Sequence, residues 1–268
     1  MLESRAMPLA AALLLMLSAF AASPAVAAEE ALTAAHALLS AWHEDPARID
    51  QARAQLEAAV TTDPTPETLT ELSRVWFLTG DFRARTEAER VTAYERGMET
   101  GRRAVALAPR NDRAHLWLAI NSGRTAEIRG VMRALALVST IREESDTVLK
   151  LNPSNVEGLV LAGGLAADLP AMMGGDKAKA EGFFKRALEI DPRLTGGRIE
   201  LARLYISAKR WPDAQRELQS IVDETAATDL PRWTVRDRPR ARAMLTELRD
   251  RGRIPAAPAP APGPSQSP

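Results

Sequence analysis

Cysteine is absent from the 268 residues, so the chain has no disulfide bonds and no thiol that could carry a lipid. Histidine is scarce: the three, His36, His43 and His115, include no H-x3-H pair of the kind that binds zinc. Walker, dinucleotide-binding and G-x-S-x-G patterns are also missing. We therefore predict no catalytic residues, no metal site and no cofactor.

Aromatic residues make up only 4% of the chain, and no segment alternates Val, Ile, Thr and Tyr with polar residues as strands do. Ala, Leu and Arg dominate instead, and these residues favour helices. The 35 basic and 35 acidic residues cancel, so no overall charge attracts nucleic acid. The composition predicts an all-α protein that does not bind nucleic acid.

The N-terminus has the pattern of a secretory signal. Arg5 precedes the apolar run PLAAALLLMLSAFAA, and Ala25 and Ala27 supply an A-x-A cleavage site. The run is short for a bilayer span, so an uncleaved anchor is the weaker alternative. We predict a signal peptide over residues 1–28, a periplasmic location and no stable membrane span in the mature chain.

Prolines close four similar segments, at Pro64, Pro109, Pro153 and Pro192, spaced 45, 44 and 39 residues apart. Proline stops a helix because it has no N–H and restricts the residue before it. We predict one helical repeat domain over 29–254 and a disordered Pro/Ala-rich tail over 255–268. The predicted helix pairs are 30–43 with 47–61, 66–80 with 84–107, 112–123 with 126–150, 154–167 with 176–190 and 195–208 with 212–225, followed by a capping helix at 236–251.

The clearest repeat is tetratricopeptide-like. Ala180, Phe184 and Ala187 before Pro192 match the pattern of the second helix of that repeat. The equivalent positions 34 residues later are Ala214, Leu218 and Ile221. Small residues allow close helix approach and large apolar ones fill the groove between helices. The fold class predicted is all-α, a tetratricopeptide-like helix-pair repeat array (α-solenoid).

The turn between two of these helices has the sequence PAMMGGDK. Pro170 ends one helix, Gly174 and Gly175 supply unusual backbone angles, and Asp176 caps the next helix. Because no strand or phosphate-loop pattern accompanies the glycines, the turn is predicted to be structural. Met172 and Met173 either pack in the core or line an adaptable apolar surface.

Candidate binding residues lie on the helix DRAHLWLAINSGRTAEIR. Trp117, Asn121 and Arg124 could combine apolar bulk, an amide and a guanidinium on one concave surface, with Met172, Met173, Gly174 and Gly175 at its rim. The alternative is a packed Trp beside a helix-breaking Gly123. Near the C-terminus, eight Arg against three acidic residues over 232–253 form either a solvated face or a docking site for an acidic partner.

The stretch LPAMMGGDKAKAEGFFKRALEIDP resembles the tetratricopeptide-like T component associated with TRAP transporters, and the similarity is strongest over Ala114–Asp223. The segment is also similar, more distantly, to the helical domain of eukaryotic regulators of microtubule dynamics. The first resemblance implies a partner role beside a periplasmic substrate-binding protein, a small organic ligand and a homotrimer. The missing cysteine departs from the lipoproteins of that family.

Two functional hypotheses follow. In the first, the chain is a non-enzymatic periplasmic accessory of TRAP-type solute uptake that binds a substrate-binding protein or a small organic ligand. In the second, it is a general tetratricopeptide scaffold for a cell-envelope complex with no small-molecule ligand. A cavity lined by Trp117, Asn121, Met172 and Met173 favours the first, and a filled core with a polar concave face favours the second.

Overall fold

The computed structural model describes residues 24–255, and every regular element in this part of the chain is helical. Most of the predicted signal peptide and nearly all of the predicted tail lie outside these residues. The helices are α1 Pro24–Ser40, α2 Ala47–Thr62, α3 Pro66–Phe82, α4 Glu87–Leu107, α5 Asp112–Arg129, α6 Val131–Leu151, α7 Val156–Asp168, α8 Lys177–Ile190, α9 Thr195–Ser207, α10 Trp211–Asp223, α11 Leu230–Arg232 and α12 Arg238–Asp250. A 3-10 turn, Ala171–Met173, precedes α8, and a π-helical segment, Trp233–Asp237, joins α11 to α12.

Local capping explains where five of these helices begin. Thr65 and Thr86 form capping boxes at the starts of α3 and α4. At the starts of α5, α7 and α8, backbone N–H groups donate hydrogen bonds to the side chains of Asn111, Asn155 and Asp176. Each satisfies N–H groups that the first turn of a helix leaves without partners. The five predicted pairs are confirmed, with boundaries that differ by a few residues.

The helices pack as a layered array. Each helix from α1 to α9 packs against the next one in the chain. Each odd-numbered helix from α1 to α7 also packs against the next odd-numbered helix, up to α9. The even-numbered helices α2 to α10 show no comparable contact among themselves within residues 24–255. The odd-numbered helices therefore form the inner, concave layer and the even-numbered helices form the outer layer.

Two apolar clusters form the core. The first belongs to α1–α5 and is built around Trp42, Leu56 and Phe77. The second runs from α7 to Ile254 and includes Phe184 of the predicted repeat. The Phe184 ring lies against Gly163 of α7, where a Cβ atom would be 2.5 Å from its Cε1. The buried small and large positions of α8 and α10 confirm the tetratricopeptide pattern.

No helix within residues 24–255 combines the length and the apolar character that crossing a bilayer requires.

Candidate functional site

Trp117 and Asn121 lie inside the protein, which corrects their predicted place on an exposed concave surface. Trp117 is 4% exposed and its ring centroid is 5.5 Å from that of Phe77. Asn121 is fully buried, and its Nδ2 donates to the carbonyl of Ser73 at 3.0 Å and to that of Trp117 at 2.9 Å. These contacts join α5 to α3. Both side chains hold the array together and present no surface to a ligand.

Gly97 of α4 completes this buried junction. The Ser73 hydroxyl donates to the Gly97 carbonyl at 2.8 Å, and a Cβ on Gly97 would lie 2.4 Å from Asn121 Oδ1. Only glycine allows α4 to approach Asn121 this closely. This contact accounts for the glycine at position 97 of α4.

Arg124 is the member of the predicted set on α5 that reaches the surface. Its guanidinium donates to Glu127 at 2.9 Å, lies 3.6 Å from Asp81 and sits 5.7 Å from the centroid of the Phe77 ring. Burial opposes the charged guanidinium, but Asp81 and Glu127 outweigh it and raise the pKa of Arg124. Arg124 is therefore a charged side chain on the inner layer, held in place by two carboxylates.

The Gly-Gly-Asp turn is structural, as predicted, but its two glycines act differently. Gly174 has a left-handed φ of 88°. Gly175 does not have a positive φ; a Cβ there would lie 1.7 Å from the Leu169 carbonyl oxygen. Asp176 accepts hydrogen bonds from the N–H groups of Ala178 and Lys179 and so caps α8. Close backbone packing requires the second glycine.

Met172 is 93% exposed, so it lies on the surface and does not pack in the core. Met173 borders a shallow groove with Leu135 and Val138 of α6, and its carbonyl accepts a hydrogen bond from Arg142. The turn thus contacts α6, whereas Trp117, Asn121 and Arg124 contact α3 and α4 or their own helix. The described residues do not form the single predicted cavity.

A charged cluster on the inner layer, called the Asp81 cluster here, consists of Asp81, Tyr94, Arg124 and Arg236. The Asp81 side chain is 8% exposed and accepts hydrogen bonds from the Tyr94 hydroxyl at 2.6 Å and from Arg236 Nη1 at 2.5 Å. Burial raises the pKa of Tyr94, and the neighbouring Asp81 charge raises it further. The cluster joins α3, α4 and α5 to the C-terminal π-helical segment.

Aromatic rings support the guanidinium of Arg236. Its Cζ lies 5.2 Å from the centroid of the Phe82 ring. The centroids of the Phe82 and Trp42 rings are 4.4 Å apart. The following residue, Asp237, is buried and accepts a hydrogen bond from the Thr195 hydroxyl at 2.8 Å. The Arg-rich C-terminal stretch included Arg236, but Asp81 had no distinguishing sequence signal because its partners lie far away in the chain.

A second charged group on the inner layer surrounds Glu71 of α3. This carboxylate is 4% exposed; it forms ion pairs with Arg74 at 2.6 Å and Arg113 of α5 at 3.6 Å, and its Oε2 lies 3.5 Å from Nε2 of His36 of α1. Burial alone raises the pKa of Glu71, but the charge of Arg74 and hydrogen bonds from His36 and Arg74 outweigh it and lower the pKa to about 2. Three inner helices therefore share one buried negative charge.

In the part of the chain that the structure describes, no three His, Cys, Asp or Glu side chains are arranged to hold a metal ion. The inner layer instead offers paired charges, which suit recognition of another protein.

A family model described as regulator of microtubule dynamics protein 1-3 matches residues 27–166, just over half of the chain. The chain belongs to this family. A tetratricopeptide repeat model matches residues 171–236. The predicted distant resemblance to these regulators is confirmed, although the match begins nearer the N-terminus than expected. The resemblance to the T component of TRAP transporters stays a prediction.

A curated relative in this family is only distantly similar to the chain. Regulator of microtubule dynamics protein 3 of Rattus norvegicus is 22% identical over 163 residues, which are 53% of this chain and 35% of that protein. The chain therefore spans about a third of the length of the curated relative.

Two solved structures share the fold. A thermophilic tetratricopeptide repeat protein of Thermus thermophilus is 20% identical, with a TM-score of 0.59 over 80% of this chain and 100% of that one. PilF of Pseudomonas aeruginosa is 15% identical, with a TM-score of 0.50 over 85% of this chain and 92% of that one. The chain is a tetratricopeptide-like helical array, a fold suited to protein–protein interaction.

Proposed function

We propose that the chain is a non-enzymatic, periplasmic scaffold whose inner layer binds another protein. The observation that carries this proposal is the inner layer of odd-numbered helices, where the partly exposed Arg113 and Arg124 are held in defined positions by the buried carboxylates of Glu71 and Asp81. Such preset charges give specificity for a partner of complementary charge. The predicted signal peptide supports a partner in the cell envelope.

The filled interior around Trp117 and Asn121 favours a protein partner over a small organic ligand. The buried side chains of Trp117 and Asn121 fill the space that the sequence assigned to a ligand. This is the arrangement expected of the scaffold hypothesis. The proposed binding surface is therefore the inner layer of the array and not the buried side of α5.

The finer proposal names TRAP-type solute uptake, with a periplasmic substrate-binding protein as partner. Its support is the resemblance of residues 169–192 to the T component, together with the exposed Met172 and the capped Gly-Gly-Asp turn. A general scaffold of an envelope complex is the alternative. A homotrimer, implied by the same resemblance, belongs to the finer proposal.

The experiment recovers tagged protein, residues 29–254, from the periplasm of its host after mild crosslinking, with mass spectrometry of the retained proteins. A retained substrate-binding protein supports the uptake role. Retention of envelope-assembly proteins supports the general scaffold instead. Recovery of the tagged chain without any crosslinked partner contradicts both forms of the proposal.

Replacing Arg124 with Ala tests the inner layer directly. We expect crosslinking to the captured partner to fall about tenfold, because a charged contact is lost, while circular dichroism stays unchanged. Arg102→Ala on the outer helix α4 is the matched control, since Arg102 is an exposed Arg that pairs with Glu99. Equal capture by the two variants contradicts a role for Arg124 in binding.

A further inference from the structure

We propose that Asp81 is a guanidinium-binding site that Arg236 fills in the free chain and that an arginine of a bound partner fills in the complex. The inference rests on the proposed function as a protein-binding scaffold and names the chemistry of the partner: an exposed arginine on its surface. Arg236 is then an internal competitor that must leave before the partner binds.

The site has the features that guanidinium recognition requires. Asp81 supplies a carboxylate whose side chain is 8% exposed, and the Tyr94 hydroxyl holds its Oδ1 at 2.6 Å so that Oδ2 faces the guanidinium. Phe82 supplies a ring face 5.2 Å from the guanidinium carbon, and Trp42 supports this ring from beside it. A planar cation stacks on such a ring while donating to a carboxylate, which an ammonium group does less well.

Arg124 by itself does not neutralise the charge of Asp81. Its nearer partner is Glu127 at 2.9 Å, and its distance to Asp81 is 3.6 Å. Without Arg236, the buried Asp81 carboxylate therefore lacks its short contact with a cation. A buried charge that loses such a contact is costly, so the site favours replacement by another guanidinium.

Arg236 already contacts a second carboxylate, which keeps its charge paired when its Nη1 leaves Asp81. Asp237 Oδ1 lies 3.4 Å from Arg236 Nε, while the Asp237 side chain is fixed by Thr195. Burial and the nearby charges of Arg232 and Arg124 lower the pKa of Arg236, although Asp81 and Asp237 act in the opposite direction.

The backbone around Arg236 stays anchored when the side chain leaves. Trp233 is 8% exposed and its Nε1 donates to the Ile221 carbonyl at 2.9 Å, which ties the π-helical segment to α10. Asp237 ties the other end to Thr195 of α9. Opening the site therefore requires a rotamer change of one long side chain and no unfolding of the C-terminal core.

The test measures binding of N-acetylarginine amide by isothermal titration calorimetry to the wild-type chain and to Arg236→Ala. We expect the variant to bind this probe about tenfold more tightly, because the internal competitor is gone. N-acetyllysine amide should bind the variant about tenfold more weakly than the arginine probe. Equal binding of the arginine probe to wild type and variant overturns the proposal.

Adding Asp81→Asn to Arg236→Ala should abolish binding of the arginine probe, and binding that persists overturns the proposal. If this double variant fails to fold by circular dichroism, Phe82→Leu in the Arg236→Ala background replaces it. The expected result there is several-fold weaker binding, and unchanged affinity overturns the site. Arg240→Ala removes an exposed Arg of α12 and should bind the probe like wild type.

This experiment is independent of partner capture. Failure of the single-residue probe to bind removes the guanidinium site but leaves the scaffold function in place. Failure to capture any protein removes the scaffold function, whatever the probe does. In the crosslinking assay, Arg236→Ala should capture more partner than wild type, and less capture overturns the role of Arg236 as a competitor.

Discussion

Gly97 allows α4 to approach α5 at a distance that no residue with a side chain permits. A Cβ atom there would lie 2.4 Å from Asn121 Oδ1, and Asn121 itself is fixed by its bonds to Ser73 and Trp117. Gly123 of α5, in contrast, has open space where its Cβ would be. These two helical glycines therefore differ in what they contribute to packing: Gly97 is required by a close contact and Gly123 is not.

Replacing Gly97 with Ala should lower the free energy of unfolding by about 1–3 kcal/mol, because overpacking displaces Asn121 from its buried hydrogen bonds. Gly123→Ala should leave the protein equally stable or stabilise it by up to about 1 kcal/mol, since alanine favours the helix. Urea unfolding followed by circular dichroism measures both. Similar losses in the two variants would show that helix propensity, and not the contact with Asn121, sets the effect.

The sequence identified Trp117, Asn121 and Arg124 as chemically notable but could not assign their sides of α5. This helix is buried around most of its circumference by α3, α4 and α6, so apolar and polar residues do not separate into two faces. The sequence around Asn121 is the same whether its side chain faces solvent or lies in a buried junction, so it cannot distinguish the two. Contacts with Ser73, 48 residues away, decide between them.

At the scale of elements, most helix boundaries could be predicted because capping residues and prolines act locally. In the C-terminal region, the helix predicted over 236–251 corresponds to α12, Arg238–Asp250, but α11 and the π-helical segment before it were not predicted. The difference arises from distant contacts, since Trp233 bonds to α10 and Asp237 bonds to Thr195 of α9.

The turn before α8 offers a test of close backbone packing. Gly175→Val should lower the free energy of unfolding by about 3 kcal/mol, because its Cβ would overlap the Leu169 carbonyl oxygen 1.7 Å away. Gly182→Ala, on α8 with open space around it, is the control and should cost nothing. Chemical denaturation of both variants gives the comparison. A Gly175→Val protein as stable as wild type would contradict the packing described for this turn.

Across the whole molecule, ion pairs connect helices that are distant in the chain. Glu71 joins α1, α3 and α5, and Asp81 joins α3 to a residue 155 positions away. The two apolar clusters each stabilise one part of the array, and these charged contacts lie on the inner layer that runs past both. The inner layer is therefore sensitive to the protonation of Glu71.

Glu71 makes that sensitivity measurable. Its pKa is lowered from 4.5 to about 2 in the folded chain, so its ionised form stabilises the fold above pH 4.5. This contribution, about 3 kcal/mol at pH 7, is lost as the pH falls from 4.5 towards 2. The carboxylate is buried, so solvent does little to screen its ion pair with Arg74.

Glu71→Gln, which mimics the protonated side chain, should therefore be less stable than wild type by about 3 kcal/mol at pH 7 and by only about 1 kcal/mol at pH 3. Urea unfolding at both pH values measures the two differences. Glu57→Gln removes an exposed carboxylate of α2 and controls for the loss of one negative charge. If the deficit of Glu71→Gln is the same at both pH values, the ionised carboxylate does not hold the inner helices together; if it shrinks as expected while Glu57→Gln stays near wild type, protonation of this one buried group accounts for part of the acid lability of the array.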